Sequence, residues 1–198
     1  MRRLLVATRS SHKLGELRTL LALPDTELLT LDDVGIDEEA VEDAETFEAN
    51  ALLKARFYAG LADLPTLADD SGVEVDALGG APGVRTRRYA GENATDEDNN
   101  RKLLRALNGL PPEQRGARYV CVLAYLEPGR DDAIVRRGEF VGRIATAPRG
   151  TNGFGYDPIF EPAVGGGRTV GEMTPEEKAA HSHRAMAARA MSEALTVR

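Results

Sequence analysis

The stretch ARYVCVLAYLEPGRDDAIVRRGEFVGRIA, residues 117–145, carries two runs rich in β-branched and aromatic residues on either side of PGRDD. That pattern reads as a long β-hairpin. Upstream the signals alternate. RRLLVAT (2–8) reads as a short buried strand, TRSSHKLGELRTLLAL (8–23) as a loop and amphipathic helix stopped by Pro24, and TELLTL (26–31) as a second strand. The helix FEANALLKARFYAGLA (47–62), with Thr46 as its cap, precedes two short strands, TLAD and VEVDAL, joined or bent at Asp70-Ser71-Gly72. A further helix, DEDNNRKLLRAL, starts after Thr95 with Asp98 three residues on and stops at Asn108-Gly109. Alternating helices and strands followed by a hairpin predict an α/β protein with a mixed central sheet flanked by helices.

Composition sets the outer bounds. A chain of 198 residues with 42% hydrophobic content is long enough for a real core, and is read as one domain, 1–198. The formal charge of −7 argues against non-specific nucleic-acid binding, yet leaves room for a small anionic ligand in a local positive pocket. A single cysteine, Cys121, excludes an internal disulfide and a cysteine-cluster zinc site; in the run YVCVLAYL it reads as a buried, inert thiol. No stretch approaches the ~18 apolar residues of a membrane span, and MRRLLVATRSS is too short for a signal peptide. The expectation is a cytoplasmic protein without a membrane partner.

Five stretches carry chemistry, each with a bland alternative. ATRSSHK (7–13) follows the first strand and opens a helix, so its N–H groups, the hydroxyls of Thr8, Ser10 and Ser11 and the charge of Lys13 suit an anion. Taken alone it reads better as a serine cap beside a solvated lysine. In EEAVEDAETFEANALLKA (38–55), Asn50 and Lys54 share a helix face, while the acidic run before Thr46 reads as a solvated loop from which one carboxylate can reach a metal. Asp69 and Asp70 stand side by side in LADDSG, where a counter-charge, a metal ion or water must offset their repulsion. Asp-Ser-Gly also resembles the turn of aspartic peptidases. Those enzymes need two such aspartates, and this chain has one. TNGFGYDP (151–158) sets Phe154 and Tyr156 between glycines, either to stack on a flat base or to plug the core.

The last stretch, MTPEEKAAHSHRAM (173–186), opens with a capping box of Thr174 and Glu177 and a proline at the first helical position. Lys178 and His183 are five residues apart, ~140° around a straight helix. Either only one of them serves a ligand, or the helix breaks near Ser182 and a second begins at His183. A His-x-His zinc site lacks an evident third ligand.

In order along the chain, ATRSSHKLGEL, TFEANALLKA, LADDSGVEVDALGGAPGV with RRYAG, GTNGFGYDPIF and MTPEEKAAHSHR closely resemble the inosine triphosphate pyrophosphatase family, the XTP/dITP diphosphatases. The resemblance implies a homodimeric, elongated α/β protein with a substrate groove between two lobes. It implies Mg²⁺-dependent hydrolysis of deaminated purine nucleoside triphosphates (ITP, dITP, XTP) to the monophosphate and pyrophosphate, which cleanses the nucleotide pool. By position, Glu42 and Asp70 match the family's metal-binding carboxylates and Asp70 its proton acceptor. Thr8, Arg9, Ser10, Ser11, His12 and Lys13 match the phosphate-binding loop. Ser71, Phe154, Gly155, Tyr156, Asp157, Lys178, His183 and Arg184 match substrate contacts. Where the family usually has Thr-x-Asn this chain has Thr8-Arg9-Ser10, which keeps a hydrogen-bonding group at residue 10 and loses the amide.

Overall fold

The computed structural model describes residues 2–197. Six strands form one mixed sheet in the order β2-β1-β3-β4-β5-β6: β1 is Arg2–Ala7, β2 Thr26–Leu29, β3 Thr66–Val75, β4 Gly116–Leu126, β5 Ile134–Ile144 and β6 Phe160–Pro162. β1 runs parallel to both β2 and β3, and β5 is antiparallel to β6. The helices are α1 (Ser11–Leu20), α2 (Phe47–Ala62), α3 (Asp96–Ala106), α4 (Pro175–His181) and α5 (His183–Thr196). The expected hairpin strands are β4 and β5, neighbours in the sheet, and β4 is buried without interruption from Val120 to Ala124, as a strand covered on both faces must be.

One expectation needs correcting. The two strands expected on either side of Asp70-Ser71-Gly72 are a single ten-residue strand, β3, buried or nearly so along its length. Acidic and glycine residues disfavour strands only weakly, and burial among neighbouring strands overrides that preference.

The connections explain where a ligand can sit. α1 links β1 to β2 on one side, whereas β3 pairs with β1 on the other, so the chain leaves the carboxyl end of β1 at a point where strand order reverses. Parallel sheets bind ligands at such points. Register sharpens this: Ala7 pairs with Ala68, which brings the loop starting at Thr8 level with Asp69 and Asp70.

The chain divides into two compact units. The first holds residues up to Asp70, Cys121–Gly138 and the segment from His183; its core gathers Leu4, Val6, Leu17, Leu67, Leu123 and Met191. Gly138 belongs here because a Cβ on it would stand 2.1 Å from the His183 carbonyl, so glycine lets β5 and α5 approach. The second unit holds Ser71–Val120 and Glu139–Ser182, around Val73, Leu103, Leu107, Phe140, Ile159 and Phe160.

Arg115 is a buried cation in the second unit. It donates to the carbonyls of Leu107 (2.7 Å), Ile144 (2.8 Å) and Ala145 (2.7 Å), tying α3's end to β5 and the turn beyond it. Arg115→Met keeps the aliphatic stem and removes all three donors. It should cost about 3 kcal/mol of stability, read as a lowered Tm in thermal denaturation; an unchanged Tm would show that water replaces the guanidinium at no cost.

Candidate active site

In the first unit, α1 begins as the hydroxyl-rich loop predicts. Ser10 has extended backbone and caps the helix, its Oγ accepting from Lys13 N at 3.4 Å, while Thr8 Oγ1 accepts from Ser10 N at 3.2 Å. The start of α1 carries the positive end of the helix dipole, beside exposed Ser11 and His12. Arg9 turns aside: its guanidinium donates to Asp32 at 3.0 Å and to the Ile36 carbonyl, which braces the loop after β2.

The two adjacent aspartates part company, as residues on opposite faces of a strand do. Asp69 accepts from Lys13 Nζ at 2.9 Å and from Arg184 Nη2 at 3.4 Å. Burial alone would raise its carboxyl, but Lys13, Arg184 and Lys54 hold it well below the usual carboxylate range. Asp70 faces Lys54, whose Nζ lies 3.4 Å from Asp70 Oδ1 and 2.8 Å from Glu42 Oε2. Burial raises the Asp70 carboxyl despite Lys54 and Lys13. Lys54 is itself buried, which works against its charge, yet Asp70, Asp69 and Glu42 together raise its pKa.

Glu42 lies in a segment without regular structure, and its placement depends on residues whose role the sequence did not disclose. Asn50 on α2 accepts from Ala44 N (3.0 Å) and donates to Ala44 O (3.3 Å). Tyr58 Oη donates to Glu38 O at 3.2 Å and accepts from Ala40 N at 3.3 Å. The acidic stretch is the exposed, irregular loop expected, with its backbone pinned along α2. Asn50, Lys54 and Tyr58 at four-residue spacing were the available signal.

Asp70 Oδ2 is buried and has no hydrogen-bond partner. A bare carboxylate oxygen in that position is costly unless a ligand completes it. Among the described residues no group of three or more His, Cys, Asp or Glu is arranged to hold a metal by itself. The donor set, Glu42 with the bare Asp70 oxygen, fits a hard ion that takes one or two carboxylates and completes its shell with water and phosphate oxygens, as Mg²⁺ does. It does not fit a zinc site.

The second unit builds a separate set around Asp157. This buried carboxylate accepts from Lys178 Nζ (2.8 Å), Phe154 N (2.9 Å) and Tyr119 Oη (3.0 Å), while burial pushes its pKa up against those partners. Lys178 Nζ also stands 4.6 Å from the centre of the Phe154 ring. Gly153 is required beside them: it has φ +77°, and a Cβ there would lie 2.0 Å from Asp157 Oδ2. Gly155 N donates to Asp96 at 2.7 Å, and its carbonyl accepts from Asn100 at 3.0 Å. Of the two aromatics in this loop, only Phe154 keeps partial exposure. Tyr156 fills the second core and its hydroxyl donates to the Thr86 carbonyl at 2.8 Å. Ser71 is half-buried on β3.

The helix after Thr174 does break. α4 ends at His181, Ser182 is extended at φ −64° and ψ 157°, and α5 starts at His183. Lys178 belongs to one helix and His183 and Arg184 to the next, so the angle between them on a straight helix no longer applies. His183 and Arg184 are both buried, and Arg184 donates to Glu16 as well as to Asp69. Cys121 is buried with its thiol pushed up to about 12, which bears out an inert role.

The Ham1 family model matches residues 4–194, nearly the whole chain. This chain belongs to the Ham1 family. Curated relatives within the matched set carry the name dITP/XTP pyrophosphatase: the Shigella flexneri protein is 46% identical with 98% of each chain covered, and that of Symbiobacterium thermophilum 50% identical over 94% of this chain and 91% of its own. Solved Ham1 structures share the fold. The Ham1 protein of Coxiella burnetii superposes with a TM-score of 0.91 at 40% identity over 100% of both chains, and that of Staphylococcus aureus with 0.89 at 35% identity over 99% of both. Ham1 membership removes the peptidase reading of Asp-Ser-Gly. Asp70 has a lysine for its neighbour, where a peptidase dyad would place a second carboxylate sharing its proton.

Proposed function

We propose that this Ham1 protein hydrolyses deaminated purine nucleoside triphosphates (dITP, XTP and ITP) to the monophosphate and pyrophosphate, with Mg²⁺ as cofactor. The reading extends to a cytoplasmic homodimer that keeps these nucleotides out of DNA and RNA. The names of the relatives support the substrate class. The observation that carries the chemistry is the buried Asp70 oxygen without a partner, set beside Lys54 and Glu42.

Cleavage between the α- and β-phosphates needs an aligned water, neutralised phosphoryl oxygens and a stabilised leaving pyrophosphate. The first-turn N–H groups of α1, the hydroxyls of Thr8 and Ser10 and the ammonium of Lys13 bind phosphate oxygens. Glu42 and Asp70 hold Mg²⁺, which when bound supplies charge neutralisation at those oxygens. Asp70, as a metal ligand a weak base, accepts the proton of the attacking water through an intervening water, while Lys54 keeps the two carboxylates from repelling each other in the absence of substrate. Ser71 follows directly on β3 as a hydroxyl contact.

Base selection falls to groups that donate. Phe154 offers a ring face to a purine, and Lys178, held by Asp157, is a donor-only group suited to the 6-keto oxygen. His183 and Arg184 are proposed as further substrate contacts. The 6-amino group of adenine would meet donors with another donor and leave them unpaired, a mismatch that can reach about 10⁴-fold in kcat/KM. The test is pyrophosphate release from dITP, XTP, ITP, GTP and ATP with and without Mg²⁺. Turnover of the deaminated nucleotides with ATP nearly inert is expected. Binding of dITP with no pyrophosphate released would instead mark a nucleotide-binding regulator.

A further inference from the structure

Asp69 takes no part in the chemistry proposed above, yet it is one of the most enclosed charges in the first unit. The side chains of Asp69 and Arg184 are each 1% exposed, and that of Lys13 is 20% exposed. Its two oxygens divide the work: Oδ1 accepts from Lys13 at 2.9 Å, and Oδ2 accepts from Arg184 at 3.4 Å with the Cys121 thiol 3.9 Å away. The partners come from the first turn of α1 and the first turn of α5. A lysine at a loop-to-helix junction has four rotatable bonds and no intrinsic reason to keep one orientation. One contact to a rigid strand removes most of that freedom, and an ammonium with three donors can give one to Asp69 and direct the others to an anion.

We infer that Asp69 is a positioning residue that holds the Lys13 ammonium at the phosphate loop and so acts on the reaction through Lys13. This rests on the reading of Lys13 as a phosphate ligand. The two neighbouring aspartates then serve one reaction by different routes: Asp70 at the reacting groups, Asp69 through the lysine it orients. A carboxylate that merely competed with phosphate for Lys13 would act with the opposite sign, since its removal would strengthen anion binding.

A double-mutant cycle on dITP hydrolysis separates these cases. Lys13→Ala should lower kcat/KM about a hundred-fold and Asp69→Asn about ten-fold, the scale of a misplaced binding group. The double variant should be no worse than Lys13→Ala, because a lysine that is absent cannot be misplaced. Inhibition by pyrophosphate should weaken in both single variants. Asp69→Glu keeps the negative charge that buried Arg184 needs, and serves for the same cycle if Asp69→Asn fails to fold. An unchanged rate in Lys13→Ala overturns the phosphate-ligand reading itself. An impaired Lys13→Ala with a double variant that multiplies the two losses overturns the role of Asp69 alone. So does an Asp69→Asn protein with equal or tighter pyrophosphate inhibition.

Discussion

Asp70→Asn should lower kcat for dITP about 10³-fold while the Tm holds or rises. The substitution is isosteric and leaves Lys54 its 2.8 Å contact with Glu42, so packing is preserved. What disappears is the carboxylate able to ligate a cation through the buried, partnerless Oδ2 and to accept a proton through water. General-base and electrostatic contributions of this kind are each worth about 10²–10⁴ in rate. The stability half of the expectation comes from the sign of the pKa shift. Burial raises the Asp70 carboxyl in the folded protein, so near neutral pH the charged form is held less comfortably than in the unfolded chain. Removing that charge relieves the folded state. Steady-state kinetics and a thermal melt on the same preparation check both halves. Near-normal kcat removes Asp70 from the mechanism, and a Tm lowered by ten degrees or more makes it a structural residue.

Stripping divalent cations should abolish turnover, and Mg²⁺ should restore it. Among the described residues the proposed site has Glu42 and one bare oxygen of Asp70, with Lys54 close to both. Such a site would hold Mg²⁺ weakly until phosphate oxygens complete the shell. Mg²⁺ alone should therefore move the Tm little, whereas Mg²⁺ together with a non-hydrolysable dITP analogue should raise it by several degrees through preferential binding to the folded state. Full activity in the presence of EDTA would refute the metal role of Glu42 and Asp70. A large Tm rise with Mg²⁺ alone would point to a preformed site with more ligands than these two carboxylates.

Local signals were legible where neighbours in sequence decide the outcome. Thr46, Thr95 and Thr174 cap the helices that follow them, the latter two in full capping boxes with Asp98 and Glu177. The break at Ser182 was one of two outcomes that the spacing of Lys178 and His183 left open. The two short strands expected to be joined or bent at Asp70-Ser71-Gly72 are one continuous strand, because the pairing of β3 with neighbouring strands outweighs the local turn preference of Asp-Ser-Gly. Tyr156 shows the same limit: flanking glycines suit either a ligand contact or a core plug, and burial in the second core chose the plug.

By itself the sequence determined the helices, most of the strands and the mixed α/β class, and its five collinear motifs pointed to the inosine triphosphate pyrophosphatase family. The tertiary structure alone decided what offsets each of the two aspartates. Asp69 meets Lys13 and Arg184, which are 56 and 115 residues away, and Asp70 meets Lys54 and, through it, Glu42. Helical and strand periodicity place a side chain on a face of its own element, but a charge is balanced by whatever the packed elements bring within a few ångströms. That distance is set by the register of β1 against β3 and by the pinning of the acidic segment to α2, neither of which is a property of the residues beside Asp69 and Asp70.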